Sequence, residues 1–63
     1  MRRFFTKRFF QLSPTNQAAS FDAEIRELER ATGTAVSASD WRRITQRIAY
    51  MRRKAVEHGI HEK

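Results

Sequence analysis

Cysteine is absent from this 63-residue chain. That excludes a disulfide framework and a thiolate metal site, and with them a stapled secreted miniprotein. Glycine occurs twice and proline once, too few for a glycine-rich phosphate loop. No apolar run approaches the roughly 20 residues that span a bilayer. Neither a repeat nor a low-complexity tract is present. The length has room for one domain at most, and a core of this size is marginal without disulfides, metal or a partner. It also leaves no walls for a catalytic pocket. Ser13, Ser20, Ser37 and Ser39 read as helix caps rather than nucleophiles. No catalytic machinery and no cofactor are therefore expected.

What the chain does hold is positive charge. Lys and Arg number 13 against 7 Asp and Glu, a net charge of +6. An excess of this kind points to a polyanionic partner: nucleic acid, an anionic membrane surface or an acidic protein surface. The charge is unevenly placed. Residues 1–12 carry Arg2, Arg3, Lys7 and Arg8 without an acid, a net of +4. Residues 13–37 carry Asp22, Glu24, Glu27 and Glu29 against Arg26 and Arg30, a net of −2. Residues 38–63 carry Arg42, Arg43, Arg47, Arg52, Arg53, Lys54 and Lys63 against Asp40, Glu57 and Glu62, a net of +4.

The hydrophobic pattern is helical throughout, so the fold class is all-α. Ala18, Phe21, Ile25 and Leu28 recur at spacings of three and four, one face of a helix. Ser13-Pro14 suits its start, with Ser20 as a later alternative, and Gly33 suits a left-handed stop. A helix over about 14–32 follows. Trp41, Ile44, Ile48, Met51 and Ala55 repeat at the same spacing and predict a second helix over about 38–58. Ser37 with Asp40 is an Asp variant of the capping box, and Val36 with Trp41 occupies the positions of a hydrophobic staple. Gly59 supplies the stop, and Ile60 can fold back against the last turns.

Only residues 33–36 separate the two helices, so they are neighbours in an αα-hairpin. The expected hairpin core is Phe21, Ile25, Leu28, Trp41, Ile44, Ile48 and Met51. The expected pairing sets Leu28 against Trp41 and Ile44, Ile25 against Ile44, and Phe21 against Ile48. The acidic first helix then lies beside the basic second one. Two helices cannot fully bury both stripes, so self-association or docking onto a larger body is expected.

Three further features bear on function. Arg42, Arg43, Arg47, Arg52, Arg53 and Lys54 form a basic set on the second helix that can track phosphates, with Tyr50 available for stacking on unpaired bases. The bland alternative is a solvated face balanced by the first helix. A DNA-reading helix-turn-helix fits less well. The spacing after Gly33 is too long, and a third core helix is missing unless residues 1–12 provide it. The second feature is a basic aromatic arm over residues 1–12, in which Phe4, Phe5, Phe9 and Phe10 alternate with Arg2, Arg3, Lys7 and Arg8. Taken alone it resembles an Arg-rich targeting segment; here it is read as part of the working protein. It suits docking in a partner's crevice, completion of the hairpin core, or a membrane interface. Four exposed Phe would be an aggregation liability, so something must cover them. The third feature is the C-terminal Glu57, His58, His61 and Glu62, with residues 61–63 as a tail. Gly59 breaks the helix between the histidines, so no metal site is expected.

The chain so read is a small basic accessory or structural subunit of a larger protein or ribonucleoprotein assembly, a virion included, and not a free monomer. Its hairpin spans 13–60 with the arm ahead of it. The alternatives are a free DNA- or RNA-binding protein using the Arg-rich helix, and a peripheral subunit of a membrane complex held by the arm.

Overall fold

The computed structural model describes residues 3–60. Helix α1 covers Lys7–Phe10, α2 covers Pro14–Gly33 and α3 covers Ala38–Glu57. The expected hairpin is therefore present, with each boundary within a residue of its expected place and a short third helix from the arm. No strand occurs among the described residues.

Local sequence explains where each helix starts. Thr6, Ser13 and Ser37 are extended N-caps, and each side-chain oxygen accepts the backbone N–H three residues on. The acceptor distances are 3.2 Å from Phe9, 3.3 Å from Asn16 and 3.1 Å from Asp40. Each cap satisfies one of the orphan donors that open a helix. Pro14 follows its cap in the first turn, where it loses no hydrogen bond. Ser20 and Ser39, also read as caps, lie inside helices instead. Gln17 ties the first two helices together, donating from Nε2 to the carbonyls of Leu12 at 2.9 Å and Phe10 at 3.4 Å.

The two helix ends differ. At the end of α3, Gly59 adopts φ +71°, the left-handed conformation. The Ile60 N–H then donates to the Ala55 carbonyl at 2.8 Å and the Gly59 N–H to the Val56 carbonyl at 3.2 Å. Those two bonds make a Schellman motif, and buried Ile60 is its folded-back apolar contact. Gly33 does not act this way. It is the last residue of α2 and has no positive φ. Thr34 closes this helix instead, offering both its N–H and its hydroxyl to the Ala31 carbonyl at 3.2 Å.

The core comprises Phe9, Phe21, Ile25, Ile48, Met51, Ala55 and Ile60, with Phe4, Phe5, Leu28 and Ile44 packed against it. Phe21 and Met51 are fully enclosed. Burying each such side chain contributes about 2–3 kcal/mol. Trp41 is the correction to the expected core, since it is 53% exposed. The reason is register. Glu29 and Thr32 of α2 share one shallow seam with Thr45, Ile48, Ala49 and Arg52 of α3. The last turn of α2 thus faces the middle of α3, and the first turn of α3 projects past the end of α2. The expected pairing, with Leu28 facing Trp41 and Phe21 facing Ile48, was set too close to the connector. Residues 34–37 can reach roughly 13 Å, which accommodates the overhang. Val36 is 92% exposed, so no staple with Trp41 forms.

The arm lies at the open end of the hairpin. The rings of Phe4 and Phe5 are 6.4 and 6.5 Å from Phe21, and those of Phe5 and Phe10 are 5.8 and 4.7 Å from His58. Phe4, Phe5 and Phe9 sit within 5.4 Å of one another, edge-on or tilted. Such pairs add about 0.5–1.5 kcal/mol each beyond their burial. Two helices alone leave Phe21 open at that end, and the arm closes it.

Candidate functional site

Helix α3 carries its cations in two rows. At 100° per residue, Arg43, Arg47, Tyr50 and Lys54 fall in a ridge on one flank of the buried stripe. Arg42 and Arg53 lie farther round, on the face turned away from the stripe. Arg52 stands next to the stripe on the side facing α2, where its Nη2 is 3.8 Å from the Glu29 carboxylate. That pair is the structure's one described answer to the expected pairing of acidic and basic helices. Both partners are about half exposed, so it steers register more than it adds stability. Lys54 is paired along its own helix, 3.2 Å from Glu57, and its Nζ lies 6.0 Å from the Tyr50 ring centre. Arg42, Arg43 and Arg53 are exposed and have no ion-pair partner among the described residues.

The fold joins two features that the sequence keeps about 40 residues apart. Folding the arm against α3 creates an open groove of about 570 Å³ lined by Arg3, Phe4, Phe5, Arg43, Gln46, Arg47, Tyr50 and Met51. Its floor is aromatic, with the enclosed Met51 beneath it; its rim holds three guanidinium groups and one amide. None of the lining residues is acidic. Arg43 and Arg47 are one turn apart, about 6 Å along the axis. In a water-facing groove with an apolar floor, like charges on one rim concentrate anions nearby.

The remaining expected residues are placed as follows. Phe9 is buried, and Phe4 and Phe5 are half-buried, all in the chain's own core. Phe10 stays exposed, as do Lys7 and Arg8 on α1. Arg2, His61 and Glu62 lie outside the described residues. Glu57 and His58 are exposed at the end of α3, and no group of three metal-ligating side chains forms among the described residues. No helix of the described residues is long and apolar enough to cross a membrane. Sequence reasoning missed Gln46 and Met51 as groove-lining residues. Gln46 follows Arg43 by three, so it was visible as a neighbour of the ridge, but nothing in the sequence placed the arm opposite it.

Comparison with family models, with curated proteins and with solved structures finds no match to this chain.

Proposed function

We propose that this chain is a small, non-enzymatic basic subunit that docks onto the polyanionic surface of a larger assembly through α3. The observation that carries the reading is the set of exposed arginines Arg42, Arg43 and Arg53, which no carboxylate answers among the described residues. Unanswered guanidinium groups along a rigid helix favour a ligand with many oxygens at regular spacing, because each can take a two-pronged hydrogen bond. The arm's phenylalanines are largely used inside the molecule. That shifts the expected contact from the arm to α3 and weighs against a membrane anchor over residues 1–12.

Sedimentation of the tagged chain from its own cells tests this. The wild-type chain is expected in a fast-sedimenting fraction and to move to the top of the gradient in high salt. A variant with Arg42→Ala, Arg43→Ala and Arg53→Ala is expected at the top already at low salt. A wild-type chain that stays at the top at low salt overturns the proposal.

A further inference from the structure

We infer that the groove between the arm and α3 is a binding site for an unpaired stretch of nucleic acid, with a base over the aromatic floor and its flanking phosphates on the arginine rim. This rests on the polyanion-docking reading and names the ligand class of one part of that face. Charge complementarity chooses an anion. Three guanidinium groups, from Arg3, Arg43 and Arg47, line the groove, and no acidic residue is among its lining. The floor then chooses among anions. A sulfated sugar or a bare phosphate would leave the rings of Phe4, Phe5 and Tyr50 facing water. A duplex keeps its base faces stacked inside and would also leave them unused. An unpaired base has two free π-faces, and one ring of the site is open to receive one. Tyr50 is about half exposed. Its ring borders the groove, and the Lys54 ammonium lies 6.0 Å from the ring centre. Gln46 sits between the two arginines in sequence and offers both a donor and an acceptor to a base edge. Aromatic rings set among cations that follow a backbone are how sequence-tolerant single-strand binders work. An acidic peptide would satisfy the rim but has no systematic use for the open ring.

Fluorescence anisotropy on the full chain, with labelled dT12 and U12, a 12-base-pair duplex and heparin, separates the possibilities. A 12-residue acidic peptide serves as competitor. The single strands are expected to bind more tightly than the duplex. Tyr50→Ala is expected to weaken single-strand binding about tenfold, the effect of losing one stacked base, and heparin binding less than twofold. Tyr50→Phe is expected to restore the single-strand affinity, and circular dichroism reports whether each variant keeps its helices. A preference between dT12 and U12 tells which backbone the rim accepts. Equal affinity for heparin and single strands, with neither sensitive to Tyr50→Ala, overturns the groove proposal and leaves polyanion docking intact. Displacement of U12 by the acidic peptide at lower concentration than by unlabelled U12 overturns it in favour of a protein ligand. Failure to bind any of the anions overturns both readings.

Discussion

Gly33 and Gly59 both lie at the end of a long helix, yet only Gly59 is needed to close one. Gly59 needs positive φ, which costs a side-chain-bearing residue about 1 kcal/mol, whereas its surroundings are open. Gly59→Ala is therefore expected to lower stability by about 1 kcal/mol. Gly33 has helical geometry and equally open space, so Gly33→Ala is expected to be neutral or to stabilise by up to about 0.5 kcal/mol. Urea titrations followed by helicity measure both, and equal losses in the two variants would contradict the assignment of the left-handed cap to Gly59 alone. The aromatic pair Phe21 and Trp41 makes a second contrast. Both lie on apolar stripes, but only Phe21 is enclosed. Phe21→Ala is expected to cost about 3–5 kcal/mol, enough to unfold a chain of this size. Trp41→Ala is expected to cost under about 1 kcal/mol. Periodicity marks both residues equally because it reports a direction around a helix. It does not report whether the partner helix extends that far.

At the scale of elements, each helix start was written locally. The caps Ser13 and Ser37 act within three residues of themselves, so their chemistry is legible without the fold; the Thr6 cap of α1 emerged only in the structure. Val36 and Trp41 had the spacing of a staple, but a staple needs the chain to enter at one angle, and the overhang of α3 sets another. Helix α1 is the element least determined by its own sequence. Four residues cannot hold a helix in water, so α1 persists because Phe9 is held against the hairpin core and Gln17 grips the turn after it. Phe9→Ser is expected to release α1 and to destabilise the chain by about 2–3 kcal/mol. Limited trypsin digestion checks this through faster cutting after Lys7 and Arg8. Unchanged cutting and an unchanged melt would mean that the arm is not part of the core.

The whole molecule extends 37 × 20 × 17 Å, with its closed aromatic end at one pole and the bare Trp41 turn toward the other. A core this small leaves a modest reserve of stability, so a ligand that binds only the folded state has a visible effect. A saturating polyanion at 100 times its Kd is expected to add about 2.7 kcal/mol, raising Tm by roughly 4–8 °C per kcal/mol. The rise is expected to shrink as salt is added, because bound counterions are released on association. A Tm that polyanion leaves unmoved at low salt would show that the folded chain does not bind it. The sequence by itself determined the two long helices, their caps, their inward stripes and the positive charge of α3. Those features follow from interactions within four residues or from charge counts. Only the tertiary structure decided the register of α3 against α2, the exposure of Trp41, the burial of Phe9 and the meeting of Arg3, Phe4 and Phe5 with Arg43, Gln46 and Tyr50. Each of these depends on which surfaces remain open once the hairpin closes, and neither spacing nor composition carries that.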